Sequence, residues 1–154
     1  MTTNKIHDDL ELDESPRRRS RELVLKGLYA IEIGEADLAY VESDILDDPS
    51  LSKKNQKFAT EFFTIVRDKL EWANEIIVDL SANWDINRLA AIDRIVLRMA
   101  LVELNFIPDS PVKVCINEAI ELGKKYSTAG SASFINGLLD NYASKLTRDE
   151  ASGN

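Results

Sequence analysis

Residues 51–80 read "LSKKNQKFATEFFTIVRDKLEWANEIIVDL". Phe58, Phe62, Ile65, Val66, Ala73, Ile76, Ile77 and Leu80 recur there at threes and fours, with no glycine or proline between them. That spacing sets apolar side chains along one stripe of a helix, whereas a half-buried strand would alternate at every second residue. The stretch predicts one long helix, or two joined by a bend near Lys69.

The same period runs through the rest of the chain. Upstream, "SPRRRSRELVLKGLY" (15–29) opens with Ser15 and Pro16. Serine can accept a hydrogen bond from an orphan helix N–H, and proline is tolerated at the first helical position. A helix is expected from there to about Ile33, stopped by Gly34, with a short acidic helix in "EADLAYVESDILDD" (35–48) before Pro49. Downstream, "DINR" (85–88) breaks the pattern, and Ile92, Ile95, Val96, Met99 and Ala100 form a further stripe ending before Pro108. Ser110 and Pro111 repeat the helix-start signal ahead of "VKVCINEAIELGKKY" (112–126), whose Ile116, Ala119, Ile120 and Gly123 share a face. Gly130 is expected to break that helix before a last one carrying Phe134, Ile135, Leu138, Leu139, Tyr142 and Leu146. No stretch of strict alternation competes, so the fold class is all-α, a compact bundle of about six to seven helices.

With 154 residues, 44% hydrophobic and 30% charged, the chain has the proportions of one folded domain with a real core. The expected organisation is a flexible acidic tail over 1–14, a helical domain over 15–147 and a flexible C-terminal tail over 148–154. The longest apolar run, "IVLRMALVEL" (95–104), is interrupted by arginine and falls short of the ~18 residues a membrane span needs. "MTTNKIHDDLELDES" (1–15) lacks the apolar core of a signal peptide, which points to the cytoplasm. The single cysteine, Cys115, sits at an apolar helical position and reads as a buried structural thiol.

Most catalytic chemistries lack their parts. His7, the one histidine, lies in the acidic tail, so histidine-based catalysis and the usual zinc sites are not expected. There is no phosphate-cradling Gly-x-x-x-x-Gly-Lys loop. The carboxylates of "DILDD" and "DDLELDE" lie on polar segments and read as solvated faces. The chain reads as a non-enzyme with no cofactor and no metal.

Against a formal net charge of -8, residues 17–21 place four arginines in five positions at the start of a helix. A helix N-terminus is itself partly positive, so Arg17, Arg18, Arg19 and Arg21 oppose the helix dipole there. Three readings compete: a solvated turn pairing with the acidic tail, attachment to a membrane surface, and contact with nucleic acid. The helix that follows has no basic polar face beyond Lys26, and net acidity repels anionic lipid, which sets the membrane aside. Guanidinium groups can take phosphate oxygens in pairs, and an anion at that end would meet the arginines and free backbone N–H groups together. Tyr29, two to three turns on, is a core residue by its period or a flat face for an unpaired base.

"RRRSRELVLKGLY" (17–29), "AAIDRIVLRMALVEL" (90–104), "VCINEAIELGKKY" (114–126) and "SFINGLLD" (133–140) resemble, in order and spacing, the NusB family of bacterial transcription antitermination factors. The resemblance covers about residues 17–146. It implies two packed helical subdomains that bind single-stranded boxA RNA in ribosomal RNA leaders. Binding would occur together with NusE, a small-subunit ribosomal protein, and the complex would help RNA polymerase read through terminators. The family's arginine-rich start falls on Arg17, Arg18, Arg19 and Arg21, which would take phosphates, and its tyrosine on Tyr29, which would take a base. Its second RNA-facing patch falls on Ser131 to Phe134, with Lys124 and Lys125 nearby. Phe134 also begins an apolar stripe, so core packing and RNA contact both stay open for it. Asp93 falls near the family's protein-partner surface, and capping of its own helix explains it equally well. Asn117, Glu118, Asn136 and Gly137 match family words and read as structural, with Gly137 letting two helices approach closely.

The chain departs from the pattern at Gly130, where members often carry an acidic residue, and at Ser133, where lysine or arginine is common. The second patch is therefore less basic, which leaves a helical protein–protein adaptor that has lost RNA as the rival reading. A similar domain is fused to some ribosomal RNA cytosine methyltransferases, but these 154 residues hold no such catalytic domain, so methylation by this chain itself is not expected. Some members pair through the surface that others leave free for RNA, so monomer and homodimer both stay open. Five tail carboxylates, Asp8, Asp9, Glu11, Asp13 and Glu14, stand beside the four arginines. If the tail folds back and competes with RNA, deleting residues 1–14 tightens RNA binding at low salt; an unchanged affinity rules that competition out.

Overall fold

The structure, a computed structural model, describes residues 17–81 and 85–152. The expected acidic tail with His7, the Ser15–Pro16 helix start and Trp84 lie outside the described residues. Seven helices occupy the described part: α1 Arg18–Glu32, α2 Leu38–Tyr40, α3 Lys53–Asp68, α4 Leu70–Leu80, α5 Ala91–Phe106, α6 Val112–Tyr126 and α7 Ala129–Ser152. A π-helical stretch, Val41–Leu46, continues α2, and a single 3-10 turn, Ile86–Arg88, precedes α5. Among the described residues there is no strand, and no helix is long and apolar enough to cross a membrane.

The 51–80 segment folds as two helices joined at Lys69, whose backbone (φ -101°, ψ 19°) leaves the helical region. Ser52 starts α3 by accepting a hydrogen bond from the Asn55 N–H at 3.1 Å. Phe58, Ala59, Phe62, Phe63 and Val66 form its buried face, with Phe58 and Phe62 ring centroids 5.5 Å apart. On α4 the buried face narrows to Ala73 and Ile77, while Trp72 meets Phe106 edge-on at 5.0 Å. In the π-helical stretch the i→i+5 repeat brings Val41 and Leu46, both fully buried, to the same side.

Helix α5 is the centre of the molecule, and its sequence explains why. Ile95, Val96, Leu97, Met99, Ala100, Leu101 and Val102 are all buried, so apolar groups cover the helix all round rather than along one stripe. Helices α1, α3 and α4 pack on it, as do α6 and α7 from the C-terminal half of the chain. One continuous hydrophobic core results, running from Leu23 on α1 to Tyr142 on α7.

Several breaks fall elsewhere than the sequence places them. At the end of α1, Glu35 rather than Gly34 takes the left-handed conformation (φ 53°), and the Ala36 N–H returns to the Ala30 carbonyl at 2.9 Å. Gly34 is needed for space instead, since a Cβ there would lie 2.8 Å from that carbonyl oxygen. Ser110 does not cap α6; Pro111 itself is the extended residue before the helix, which begins at Val112. Gly130 does not break the chain between α6 and α7, because it lies in the first turn of α7; the bend is at Ser127 (φ -130°, ψ -126°). The last helix runs on to Ser152, into the stretch expected as a tail, as no glycine or proline interrupts it between Leu138 and Gly153.

Gly137 is not the close-approach glycine, for it is exposed and a Cβ there would meet nothing within 4 Å. Close packing occurs at Gly27, where a Cβ would lie 2.8 Å from Val41 Cγ1 and 3.2 Å from the Phe63 ring. Gly27→Ala is expected to destabilise the fold, because overpacking of about 1–3 kcal/mol exceeds the roughly 1 kcal/mol helix-propensity gain. Gly137→Ala should stabilise it by about 0.5–1 kcal/mol. Urea denaturation with an unchanged m-value checks both signs.

Candidate nucleic-acid interface

Each of the four arginines at the start of α1 reaches a different element or residue. Arg17 lies with its guanidinium 4.3 Å from the centroid of the Phe58 ring on α3. Arg18 grips Glu118 of α6 with two bonds, Nε to Oε2 at 3.0 Å and Nη2 to Oε1 at 3.1 Å. Arg19 donates to Asp48, in the turn before α3, at 3.1 Å. Arg21 turns inward: it is 3% exposed, donates from Nε to Glu103 Oε1 of α5 at 2.9 Å, and makes a second bond to Glu103 through Nη2. The conflict between cationic side chains and the helix dipole is thus offset within the fold, by carboxylates from three other elements. Ser20 adds a bond to the Asn55 carbonyl at 3.0 Å, fastening α1 to α3.

Burial divides the cluster. The Arg19 side chain is 45% exposed and that of Arg18 30%, whereas the Arg21 guanidinium is enclosed with Glu103. Arg21 therefore stands apart from the surface on which the sequence places it; a bidentate pair in the core holds it there. Asp48 is held ionised below the usual carboxylate range, first by hydrogen bonds from Ser50 and then by Arg19.

The second patch meets the first across the seam between α1 and α6. Glu22, one turn after Arg18, accepts a hydrogen bond from Lys125 Nζ at 2.8 Å and another from the Tyr126 hydroxyl, both on the same carboxylate oxygen. Burial works to raise the Glu22 carboxyl, but the hydrogen bonds from Lys125 and Tyr126 and the charges of Lys125 and Arg19 outweigh it, so its pKa is lowered. In the other direction, the bond to Glu22 raises Lys125. Burial, followed by the bond to Glu22, raises the Tyr126 phenol. Lys124 is exposed one residue away and sits 3.5 Å from Glu121. Tyr29 is 38% exposed, eleven residues beyond Arg18, which returns it to the same side of α1 as Arg18 and Glu22.

Ser131 and Phe134 belong to the interior side of this region. Ser131 is buried; its hydroxyl bonds Asp93 Oδ2 at 2.8 Å and lies within 3.0 Å of the Ser127 and Thr128 hydroxyls, while its N–H donates to Thr128 at the start of α7. Phe134 is half-buried and packs against the core. Asp93 is 7% exposed, so it is not presented on a surface, and it makes no capping bond to its own helix. Its Oδ1 is buried without a hydrogen-bond partner among the described residues. Asn117 and Asn136 are exposed, while Glu118, read as structural, is buried against Arg18.

Glu22, Asp48, Glu103 and Tyr126 escape a reading of the sequence. Their only trace there is the four-residue step from Arg18 to Glu22 and the "KKY" at the end of α6; the pairings join residues about 30 to 100 positions apart. Cys115 is buried near the Arg21–Glu103 pair, and burial together with the Glu103 charge pushes its thiol up to about 12, which makes it inert. No group of three or more histidine, cysteine, aspartate or glutamate side chains that could hold a metal occurs among the described residues.

A family model described as the NusB family matches residues 18–144. The transcription antitermination protein NusB of Desulfosudis oleivorans is 37% identical over 138 residues, 88% of this chain and 90% of that protein. The protein of the same name from Salinibacter ruber is 43% identical over 131 residues, covering 82% and 79%. A solved structure of NusB from T. maritima superposes with a TM-score of 0.77 at 38% identity, covering 85% of this chain and 92% of that one. A crystal structure of antitermination factors NusB and NusE in complex with dsRNA contains a chain of the same fold, with a TM-score of 0.72 at 20% identity, covering 82% and 94%.

Removing one member of the Arg21–Glu103 pair leaves a buried charge uncompensated, at a cost of about 3–5 kcal/mol. Arg21→Ala is therefore expected to lower the thermal midpoint severely, while Arg19→Ala, at the exposed Asp48 pair, leaves it close to wild type. Circular-dichroism melts of the two variants check the contrast.

Proposed function

The chain belongs to the NusB family, and from that premise we propose that it is a transcription antitermination factor. In this reading it binds single-stranded boxA RNA of ribosomal RNA transcripts together with NusE. The complex then helps RNA polymerase read through terminators, in the cytoplasm, with no catalytic step. One observation carries the RNA assignment: Arg18 and Arg19 on α1 and Lys125 on α6 flank one seam, joined through Glu22, with Tyr29 on the same side of α1. The solved complex that joins antitermination factors NusB and NusE to dsRNA supports RNA and NusE as the partners.

Residue roles follow from placement. Arg17, Arg18, Arg19, Lys124 and Lys125 are assigned to phosphates, where guanidinium forks and ammonium groups act as charge-assisted donors. Tyr29 is assigned to a base. Arg21 acts from inside, holding the start of α1 against α5 so that its neighbours face outward. Ser131 and Phe134 shape the second patch, and Asp93, whose carboxylate is buried, acts on the partner side only through its bond to Ser131. The acidic remainder of the surface repels other nucleic acids and suits a basic partner.

Fluorescence anisotropy of a labelled boxA RNA and a scrambled control, with and without NusE, tests this reading. Preference for boxA that sharpens with NusE is expected, with a log–log salt slope of roughly -3 to -4 for about five phosphate contacts on a single strand. Arg18→Ala with Arg19→Ala should flatten that slope by about 1 to 1.5. Equal or absent binding of both RNAs under all conditions replaces the RNA reading with the helical adaptor.

A further inference from the structure

We propose that the pocket between the C-terminal end of α1 and helices α3, α4 and α5 binds an apolar carboxylate, with Arg98 as the residue that receives its charge. The site is separate from the RNA seam, because Glu32 at its edge lies fourteen residues beyond Arg18, about 21 Å along the helix axis. It does not depend on the RNA reading.

The pocket has a volume of about 510 Å³, within the range of about 300–1,000 Å³ usual for small-ligand sites. Leu28, Leu38, Phe63, Leu70 and Ile95 wall it, one from each of the first five helices. Leu38 and Leu70 are 41% and 39% exposed, so this apolar surface opens to solvent instead of closing into the core. Such walls suit the body of a ligand. Its head group is selected by the floor.

There, two cations share one anion. Arg94 and Arg98, one turn apart on α5, both meet Glu32 of α1, which lies 2.9 Å from Arg98 Nη1 and 3.6 Å from Arg94 Nη2. Only 13% and 7% of the two arginine side chains are exposed, and among the described residues no second carboxylate meets either of them. Burial lowers the Arg98 pKa; the bond and charge of Glu32 oppose this, and the Arg94 charge adds to it. Enclosed positive charge in excess of its partner calls for a further negative group. Arg98 also has the donor for it. Its Nε is committed to Asn74 Oδ1 at 2.7 Å and its Nη1 to Glu32, whereas Nη2 has no hydrogen-bond partner among the described residues. That nitrogen is not sealed off by protein atoms, although the residue is 6% exposed and lines the pocket. A carboxylate on Nη2 completes a charge-assisted bond and leaves its tail along the apolar walls. Glu42, Asp68 and Arg67 stand on the rim, all exposed, where solvent screens them and their charges partly cancel.

The test titrates the full chain with octanoate, octanamide and acetate, following the methyl resonances of Leu38, Leu70 and Ile95 by NMR and the thermal midpoint. Octanoate is expected to shift those methyls saturably and to raise the midpoint. Octanamide, which keeps the tail and loses the charge, should bind roughly 10- to 150-fold more weakly, and acetate, a charge without a tail, should leave the methyls unmoved. A short peptide with a free C-terminal leucine tests the end of a partner chain as the source of the same chemistry: binding tighter than octanoate assigns the site to a chain terminus, weaker binding to a free acid. Arg98→Gln should abolish the preference for octanoate over octanamide. Should that variant fail to fold, Leu70→Asp decides, since a charge at this exposed wall position should abolish octanoate binding and leave the fold intact. No saturable methyl shift with octanoate, equal binding of octanoate and octanamide, or undiminished octanoate binding by Leu70→Asp overturns the site.

Discussion

The buried pair between Arg21 and Glu103 is the constraint on which the rest of the arrangement depends. It joins the start of the first helix to α5, the helix on which every other long helix packs. Two charges so deeply enclosed contribute little net stability over a hydrophobic pair, because desolvation consumes most of their attraction. Their value lies in direction. A guanidinium held by two bonds to one carboxylate admits a single geometry, and that geometry sets the rotation of α1 about its axis. Once Arg21 faces inward, Arg18 and Glu22 must face α6 and Arg19 must face solvent.

Charge on this protein is therefore organised as pairs rather than as a bare positive patch. Arg18 with Glu118, Arg19 with Asp48 and Lys125 with Glu22 each hold a cation in place with an anion that is more buried than the cation. The cationic groups end outward and the carboxylates inward, so an acidic chain presents a basic strip. Of the three, the Arg19–Asp48 pair has the least buried carboxylate and the weakest hold, since exposed ion pairs are worth little in water. Orientation prepared in advance lowers the entropy that a flexible side chain would lose on binding.

A different device operates where α6 gives way to α7. The turn at Ser127 and the first turn of α7 are laced by hydroxyl groups, and Asp93 ties that lacework to α5 through Ser131. Two regions that the sequence suggests as separate, a partner side at Asp93 and an RNA side at Ser131, are one hydrogen-bonded unit.

By itself the sequence determined the number and approximate extent of the helices. Periods of three and four are local: Phe58, Phe62 and Val66 fall on one face whatever surrounds them, whereas the pattern left one long helix or two joined near Lys69 open, and the end of α1 near Ile33 was marked by Gly34. It also marked the arginine run and, through four separated blocks, the family. The tertiary structure alone decided which arginine turned inward, because Arg17, Arg18, Arg19 and Arg21 are chemically identical and differ only in the partner that packing brings to each. It decided likewise that Gly27 rather than Gly137 marks a close approach, and that Asp93 bonds Ser131 instead of capping its helix. Helix periodicity is set by neighbours three or four residues away, whereas the partner of a charged side chain is set by residues up to about a hundred positions distant, and no local pattern carries that information.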